Sequence, residues 1–242
     1  MSLPKNLITI YGRNPVLEAL ENRDLKLFAL HLSKSNKVNE KINKITQLAK
    51  ARNIDIKYHT KEQLSRISKN SKQDQGVALD IVLNNLKNID YLYTLSSYRL
   101  LALDGITNPQ NLGMIIRSAT AGNIDAIILQ KKGSASLVSA LTIKASAGTL
   151  FKMPIIQVQS LYRALKELQQ KDSKLISLSL DTNRDLKSFK IPNKSIFVLG
   201  NESVGVSKEI LELSNEKIKI SMNRGVESLN VAVTASLLAF SE

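Results

Sequence analysis

The sequence predicts an α/β protein whose larger part is a parallel β-sheet covered by helices on both faces. From Arg99 onward, short apolar runs alternate with segments of helical periodicity, which is the pattern of parallel strands joined by crossover helices. A shorter alternation of the same kind occupies residues 7–83. With 242 residues, 43% of them apolar and 23% charged, the chain can bury a sizeable core, which excludes a disordered or collagen-like protein.

The first unit, residues 1–83, is predicted to be a small α/β domain. Asn14 is a candidate cap for a helix that continues to Leu20, with Pro15 at the first helical position. Apolar residues at helical spacing from Val38 indicate a second helix that ends at Ala51. The other expected elements are strands over 27–32, 54–58 and 76–83 and a short helix over 61–67.

The second unit, residues 98–242, has the more regular pattern, and we assign residues 84–97 to a linker that partly packs. Asn108 and Pro109 open its first helix and Gly122 closes it. The expected strands cover 100–103, 126–129, 155–158, 175–180, 195–199 and 218–220. The other expected helices cover 136–147, 161–169, 207–213 and 229–240, with Ser207 and Ser228 as candidate caps of the last two.

Composition excludes several kinds of site. The absence of Cys excludes disulfides, thiolate metal sites and cysteine nucleophiles. Only two histidines are present, so we expect no metal, and for His31 and His59 we expect a surface or edge role rather than catalysis. The most apolar stretch, 231–240, is too short to cross a membrane, and the first ten residues lack the apolar region of a signal peptide. We therefore expect a soluble, cytoplasmic protein with no membrane partner.

The chain is strongly basic, with a formal net charge of +13. Residues 1–83 hold 15 Lys and Arg against 8 Asp and Glu, so the positive charge is densest there. Lys and Arg neutralise phosphates and release counterions, which favours a nucleic acid partner over a purely solubilising role. Because only 5% of the chain is aromatic and Trp is absent, we expect recognition through shape, phosphate and 2′-hydroxyl contacts rather than an aromatic stacking platform.

Three loops that follow predicted strands are candidate ligand sites, because open α/β sheets bind ligands at the carboxyl ends of their strands. The first, over 103–113, leads into a helix that carries Arg117 beside two isoleucines. The second, over 198–207, has Glu202 between two glycines, which permit close approach of the backbone to a ligand. A plain turn between a strand and a helix would also explain either loop.

The third loop, over 220–231, turns at Gly225 and enters an apolar helix. Capping explains Ser228 well. It does not explain Asn230, which is a poor helix former among apolar neighbours, so we expect its side-chain amide to make a specific hydrogen bond.

Taken together, the three loops resemble the three signature motifs of the SpoU/TrmH family of RNA ribose 2′-O-methyltransferases, in the SPOUT class. The matching segments are LDGITNPQNLGMIIRSA, FVLGNESVGVSKEI and ISMNRGVESLNVAVTASLLAF. Residues 7–83, with YGRNPVLEAL and QGVAL, resemble the small L30e-like, ribosomal-protein-like RNA-binding domain of some members. The combination is similar to the branch that methylates guanosine in bacterial 23S ribosomal RNA.

The resemblance implies a SPOUT domain at 98–242 whose C-terminal end passes through a loop to form a deep trefoil knot. It implies S-adenosylmethionine as the cofactor, and ribosomal RNA, 23S above all, as the partner. It also implies a homodimer with the site near the subunit interface. By matching positions, the cofactor-binding residues are Gly200, Asn201, Ile220, Met222 and Leu229.

The resemblance also assigns five catalytic positions. Arg117 is expected to clamp a phosphate and stabilise the alkoxide that develops on the ribose, and whether it also takes the proton is left open. Asn111 and Asn230 are expected to orient Arg117 and the ribose. Ser228 is expected to hold its loop, and Glu202 to order the second loop and balance positive charge.

Two residues depart from the family pattern, and neither stands at a catalytic position. Ser221 stands where the third motif usually has Pro, and Arg224 stands at a position that is often small. These departures concern the rigidity and local charge of the third loop.

Three other functions stay open. They are a transfer RNA ribose 2′-O-methyltransferase, an antibiotic-resistance-type ribosomal RNA methyltransferase, and a non-catalytic RNA-binding ribosome-assembly factor. The N-terminal unit favours the ribosomal RNA branch over transfer RNA, and the five motif side chains favour an enzyme over an assembly factor.

Overall fold

The computed structural model describes residues 7–37 and 39–242, which form one four-stranded and one seven-stranded sheet. The N-terminal unit contains β1 (Leu7–Tyr11), α1 (Arg13–Glu21), β2 (Lys26–Ser33), α2 (Glu40–Ala51), β3 (Asp55–His59), α3 (Lys61–Ser68) and β4 (Val77–Val82). The C-terminal unit contains β5 (Leu86–Lys87), β6 (Tyr98–Leu103), α4 (Pro109–Ala121), β7 (Ala126–Gln130), α5 (Ala140–Ser146), β8 (Ile155–Val158), α6 (Leu161–Gln170), β9 (Lys174–Leu178), β10 (Lys194–Leu199), α7 (Lys208–Leu213), β11 (Glu216–Ile218) and α8 (Val231–Ala239).

The N-terminal sheet has the strand order β1-β4-β2-β3. Its strand β4 runs antiparallel to both neighbours, whereas β3 runs parallel to β2. The carboxyl ends of β1, β2 and β3 therefore lie at the same edge of the sheet as the start of β4. Helices α1 and α2 pack against each other, and α3 contacts all four strands.

Helix α1 begins at Arg13, two residues before the predicted first helical position, Pro15, and Asn14 is not its cap. Gly12 occupies the cap position with φ 92°, a left-handed conformation that glycine adopts without steric cost. Asn14 instead lies inside the helix and accepts a hydrogen bond from Lys41 Nζ at 2.7 Å. Asn39 caps α2 by accepting from the backbone N–H of Ile42 at 3.0 Å. Val38, the first residue of the predicted apolar stripe, lies outside the described residues.

The surface or edge role expected for His31 is wrong. His31 lies on the central strand β2 and is 6% exposed. Its Nε2 is 3.0 Å from Asp80 Oδ2 and its Nδ1 is 2.9 Å from His59 Nε2. Thr9 donates to the other oxygen of Asp80 at 2.6 Å. A buried polar group needs such partners, and β1, β3 and β4 supply them.

The C-terminal sheet is parallel throughout, as predicted, with the strand order β11-β9-β10-β6-β7-β8-β5. Alternate residues of each central strand enter two separate cores. On β6, for example, Leu101 and Leu103 pack with α4, α5 and α8, whereas Leu100 and Ala102 pack with α6 and α7. Burial on both faces explains why the strands read as continuous apolar runs.

The segment 84–97 is packed against the C-terminal unit. Its strand β5 pairs in parallel with β8. The side-chain amide of Asn85 donates to the carbonyls of Leu150 and Met153, at 2.6 and 2.7 Å. Leu92 is 1% exposed and belongs to the core beneath α6. These contacts extend the large sheet by one short strand.

Two helix starts differ from their predicted positions. Helix α5 begins at Ala140 rather than 136, because Ser139 caps it by accepting from the N–H of Thr142 at 3.1 Å. Helix α8 begins at Val231, two residues after the predicted start. Asn230, not Ser228, is its N-cap and accepts from the N–H of Ala232 at 2.8 Å.

Two strands end earlier than predicted. Strand β9 ends at Leu178 rather than 180, and β11 covers Glu216–Ile218 rather than 218–220. These two strands pair with each other over only three residues. Beyond that pairing the chain leaves the sheet, and its backbone groups bond to the segment around 184–186 instead.

Candidate active site

Three loops leave the same edge of the C-terminal sheet, because the carboxyl ends of parallel strands coincide. They are the predicted ligand loops, which follow β6, β10 and β11. Strands β6 and β10 are neighbours, so the first two loops touch. Asp104 Oδ2 accepts from the N–H of Ser207 at 2.7 Å, and Asn201 Nδ2 donates to the carbonyl of Gly105 at 2.9 Å.

A hydrogen-bonded series of three side chains joins all three loops. Asn230 Nδ2 donates to Asn111 Oδ1 at 3.3 Å, and Asn111 Nδ2 donates to the carboxylate of Glu202. Asn111 lies at the start of α4 and is 7% exposed, so its amide needs both partners. The specific bond expected of Asn230 is therefore present: this side chain caps α8 through its oxygen and reaches Asn111 through its nitrogen.

The second loop is a tight turn pressed against Gly200. The backbone N–H groups of Asn201 and Gly205 each donate to the other's carbonyl, at 3.0 and 2.8 Å. A Cβ at Gly200 would overlap the backbone of Gly205 and Val206. Gly205 itself has φ 76°, the left-handed conformation that favours glycine. The loop conformation therefore depends on glycine at both positions, for different reasons.

The third loop is held from outside by the segment after β9. The N–H of Lys219 donates to the carbonyl of Arg184 at 2.8 Å, and the N–H of Leu186 donates to the carbonyl of Lys219 at 2.9 Å. The N–H of Ser221 donates to Asp185 Oδ2 at 3.0 Å, and this contact keeps the pKa of Asp185 below its ordinary value. Proline, which the family usually has at this position, has no N–H to donate.

A cavity of about 380 Å³ lies between the second and third loops and the end of β9. Its size is within the range of small-molecule pockets. Its wall contains all five residues that the resemblance assigns to the cofactor, together with two of the five assigned to catalysis: Gly200, Asn201, Ile220, Met222, Leu229, Glu202 and Ser228.

The other three predicted catalytic residues do not line this cavity. Asn111 bonds to Glu202 and Asn230 bonds to Asn111, and neither side chain bonds to Arg117. Arg117 lies six residues after Asn111 on α4 and is exposed. Its guanidinium makes no hydrogen bond or ion pair with residues 7–37 and 39–242, which leaves it free for an external anion.

Sequence reasoning missed the contribution of β9 to the cavity. Leu178, Ser179 and Leu180 form part of its wall. Strand β9 lies between β10 and β11, so its carboxyl end was a sequence signal for a further loop at the site. The predicted strand extended through residue 180, and that loop was therefore not recognised. Across the described ranges, no group of three His, Cys, Asp or Glu side chains could hold a metal ion, and no helix is long and apolar enough to cross a membrane.

Comparison with known proteins identifies both units. Residues 98–240 match the model of the SpoU rRNA Methylase family, and residues 9–85 match the model described as RNA 2′-O ribose methyltransferase substrate binding. The first match covers more than half of the chain and contains all three loops.

Similar proteins align over nearly the full chain. The 23S rRNA (guanosine-2′-O-)-methyltransferase RlmB of Neisseria meningitidis is 32% identical over 232 residues, covering 95% of this chain and 92% of that protein. An uncharacterized tRNA/rRNA methyltransferase of Mycoplasma pneumoniae, the MG252 homolog, is 29% identical over 96% of this chain and 95% of its own length.

Among solved structures, the SpoU methyltransferase AviRb of Streptomyces viridochromogenes, crystallised with AdoMet, superposes with a TM-score of 0.72 at 19% identity. The superposition covers 98% of this chain and 89% of that one, which shows a shared fold. The motifs, the site they build and the family match agree, and the chain belongs to the SpoU rRNA Methylase family.

Proposed function

We propose that the protein transfers a methyl group from S-adenosylmethionine to the 2′-oxygen of a guanosine ribose in 23S ribosomal RNA. The observation that carries this proposal is the series Asn230–Asn111–Glu202, which joins the three motif loops beside one cavity. The choice of guanosine in 23S RNA is supported by the Neisseria meningitidis relative, whose name states that reaction and which is 32% identical.

The cofactor is S-adenosylmethionine, and the cavity residues suit it. Gly200, where a side chain would overlap the loop backbone, allows main-chain groups to approach a ligand closely. Ile220, Met222 and Leu229 offer apolar surface, and the carboxylate of Glu202 favours a ligand with positive charge. When bound, the cofactor supplies an electrophilic methyl group on a sulfonium.

The protein's own residues then position the ribose and support the charge that develops on its 2′-oxygen as the hydroxyl proton passes to solvent. The oxygen–carbon bond would form as the carbon–sulfur bond breaks, which would leave the cofactor as a neutral thioether. A guanidinium stays protonated at neutral pH, so Arg117 binds the phosphate beside the target ribose and stabilises the developing alkoxide. Asn111 and Asn230 keep Glu202 in place and thereby hold the second loop in its closed turn. Ser228, in the cavity wall, holds the third loop next to the cofactor.

We propose that the third loop is threaded to form a trefoil knot. Strand β11 pairs with β9 on one side. Directly after it, Lys219 exchanges backbone hydrogen bonds with Arg184 and Leu186, which belong to the loop that follows β9. A C-terminal segment bonded both to a strand and to the loop leaving that strand is what passage through the loop would produce, although such threading is rare among folds.

We further propose that residues 1–83 are an L30e-like RNA substrate-binding domain, residues 84–97 a connecting linker, and residues 98–242 the catalytic SPOUT domain. The separate four-stranded sheet supports the first assignment. The match of residues 9–85 to a substrate-binding family model supports it further.

The working enzyme is a homodimer in this proposal. Helices α4 and α8 pack together and leave apolar side chains on their outer face: Met114 is 45% exposed, and Val233 and Leu237 are each 42% exposed. Adjacent exposed apolar groups of this kind mark interfaces. Arg117 is on the same helix, three residues after Met114, so a second copy docked here would bring the interface to the predicted catalytic arginine.

A transfer RNA substrate is the second candidate, because the Mycoplasma pneumoniae relative is named for both RNA classes. The two candidates differ in a measurable product. Mass spectrometry of RNA from cells with and without the gene should show loss of one 2′-O-methylguanosine from 23S RNA. A missing mark in transfer RNA, with 23S RNA unchanged, would favour the second candidate.

Complementing the deleted cells tests the role of Arg117 in the same assay. The wild-type gene should restore the mark, whereas Arg117→Ala should leave it absent while the purified variant still binds S-adenosylmethionine. An oxyanion donor typically contributes about 100-fold to 1,000-fold in rate, so partial restoration at long times is compatible. Full restoration by Arg117→Ala would remove this residue from the proposed mechanism.

A further inference from the structure

A groove on the N-terminal unit carries an unusual concentration of unpaired positive charge. We define it as the basic groove, a surface hollow at the carboxyl edge of the small sheet with a second hollow adjoining it through Ser33 and Asn36. Its cationic side chains, and the one exposed aromatic ring beside them, are Arg13, Lys34, Lys41, Lys50, Lys61, Lys72 and Tyr58.

We propose that the basic groove binds an unpaired stretch of the substrate RNA, with phosphates on the cations and one base stacked on Tyr58. The inference rests on the proposed RNA substrate and adds where, and in which form, the N-terminal unit holds it. Four features of the N-terminal unit support it: the topology of the sheet, the charge balance, the rigidity of the groove and the position of the Tyr58 ring.

The topology gathers four loops at this edge. The carboxyl ends of β1, β2 and β3 and the start of β4 coincide there, so the segments around 12–14, 33–37, 39–41, 60–61 and 70–76 meet. The groove is thus built from several loops that the sheet places together.

The charge balance leaves the groove positive. Within the described ranges, none of the six groove cations forms an ion pair with a carboxylate. The one acidic residue in the groove wall is Asp74, which is 5% exposed. Both its oxygens are occupied, by the hydroxyl of Ser68 at 3.0 Å and the N–H of Gly76 at 2.9 Å. Asp74 therefore holds its own loop, and no ion pair joins it to a lysine within the described ranges.

Hydrogen bonds hold the groove in one shape before any ligand binds. Arg13 donates its Nε–H to the carbonyl of Gln75 at 3.3 Å, while its backbone N–H donates to the side-chain oxygen of the same residue at 3.1 Å. Asn36 Nδ2 donates to the carbonyl of Gly76 at 2.7 Å. A Cβ at Gly76 would overlap the Asn36 side chain. A preformed site loses less entropy when it binds.

Tyr58, a single exposed ring and not the aromatic platform that the composition argues against, indicates an unpaired RNA segment rather than a duplex. It is the penultimate residue of β3, its side chain lines the adjoining hollow, and it is 58% exposed. Asn43 and Gln47 on α2 line the same hollow, and their amides can donate to or accept from base edges. Bases inside an A-form helix are stacked on each other and cannot reach such a ring, whereas splayed bases of loops stack on tyrosine.

Direct contacts join the N-terminal unit, which carries the basic groove, to the catalytic unit. Helix α1, which begins at Arg13, packs against α5. In the loop before α5, the N–H of Ala135 donates to the carbonyl of Ile106 in the first motif loop at 2.8 Å. One RNA can therefore be held by the groove and presented to the site by a framework of direct contacts.

The experiment measures binding of a fluorescently labelled, unstructured RNA oligonucleotide and of a duplex of the same sequence to the full-length protein. The pair Lys61→Glu and Lys72→Glu reverses two exposed groove charges. Its matched control, Arg23→Glu and Lys26→Glu, makes the same charge change at exposed positions away from the groove, at and just before the start of β2. S-adenosylmethionine binding and the melting temperature of each variant report on folding.

We expect the groove pair to weaken binding of the single strand by about tenfold or more, because two phosphate contacts become repulsive. The slope of log affinity against log salt should fall by about 1.4 for those two contacts. Tyr58→Ala should weaken single-strand binding between about fivefold and 100-fold and leave duplex binding unchanged, and Tyr58→Phe should behave as wild type. The control pair should bind the single strand with an affinity within about twofold of wild type, because salt screens charges that lie far from the bound RNA.

Equal losses in the groove pair and the control pair would overturn the inference, as would duplex RNA binding more tightly than the single strand. The inference and the proposed function fail separately. If the groove variants lose RNA binding but the wild type transfers no methyl group, RNA binding by the groove is supported and the proposed methyl transfer is contradicted. If methyl transfer proceeds and the groove variants bind RNA normally, the proposed methyl transfer is supported and RNA binding by the groove is contradicted.

Discussion

The side-chain amide of Asn111 on α4 donates a hydrogen bond to the carboxylate of Glu202, 91 residues later in the loop after β10. The oxygen of the same amide accepts from Asn230, at the start of α8. One buried asparagine therefore connects the first motif to the other two. Its position explains how loops from separate strands keep one arrangement around the cavity.

Asn111→Ala should remove the side-chain hydrogen bonds that join the first motif loop to Glu202 and Asn230. Hydrogen bonds to charged groups contribute about 1.5–3 kcal/mol, so we expect kcat/KM for methyl transfer to fall between about tenfold and 100-fold. Steady-state transfer assays with a radiolabelled methyl donor measure this. Gln110→Ala changes an exposed neighbour on the same helical turn and should retain full activity. Activity at the wild-type level in Asn111→Ala would show that the series is not needed for catalysis.

Gly200→Ala should abolish cofactor binding, because the added Cβ would overlap the loop backbone at Gly205 and Val206. We expect at least about a 100-fold rise in the Kd for S-adenosylmethionine by titration calorimetry. The matched variant is Gly205→Ala, whose Cβ would meet nothing within 4 Å but whose φ of 76° is strained for alanine. That strain costs about 1–2 kcal/mol, so the Kd of this variant for S-adenosylmethionine should be about fivefold to 30-fold above that of wild type. Equal affinities for the two variants would contradict the steric explanation.

Leu237→Glu should convert the proposed dimer into a monomer. The substitution puts a charge at the centre of the exposed apolar face of α4 and α8, where Leu237 is 42% exposed. Light scattering after size-exclusion chromatography should report half the wild-type mass. Phe28→Glu alters an equally exposed apolar residue, 41%, on the N-terminal sheet and should leave the mass unchanged. A wild type that is itself monomeric would end the dimer proposal.

Stability should decrease as the pH falls below about 7, through His59. Burial, and then repulsion by His31, Lys57 and Lys34, hold the pKa of His59 below its ordinary value of 6.5. The unfolded chain therefore binds this proton more readily, and stability present at higher pH is lost as the pH falls through 6.5 toward the folded pKa. The midpoint of urea unfolding should be lower at pH 5.5 than at pH 7.5.

His59→Gln separates this effect from other titrations. Glutamine can still donate to His31 Nδ1, the partner that His59 Nε2 reaches at 2.9 Å, but it does not titrate. We expect the variant to lose much of the pH dependence between 5.5 and 7.5. An unchanged dependence would assign it to another group.

Much of the fold was predictable because local patterns and tertiary structure agree. The helix Pro109–Ala121 has its cap, its proline and its closing glycine where the sequence places them. The ends of β9 and β11 were not predictable, because apolar residues continue past the point where the chain leaves the sheet. That departure depends on backbone bonds to residues 184–186, and these are invisible to periodicity.

The cavity wall was largely predictable because most of its residues lie in contiguous motifs. The side-chain hydrogen bonds that join one motif to another were not predictable. Ser228 looked like the cap of the last helix, and only the fold shows that Asn230 has that role while reaching Asn111. The exposure of the Arg117 guanidinium was likewise not predictable, because the local sequence does not show which face of the helix is exposed to solvent.

The most direct test of the account is methyl transfer by the purified protein to isolated RNA. The protein is incubated with a methyl-labelled S-adenosylmethionine and unmodified 23S ribosomal RNA, and the digested nucleosides are separated and identified by mass. We predict that the label appears in 2′-O-methylguanosine, at one position of the RNA. Label on a nucleobase, or RNA that stays unlabelled while the protein binds the cofactor, would contradict the assignment of ribose methylation.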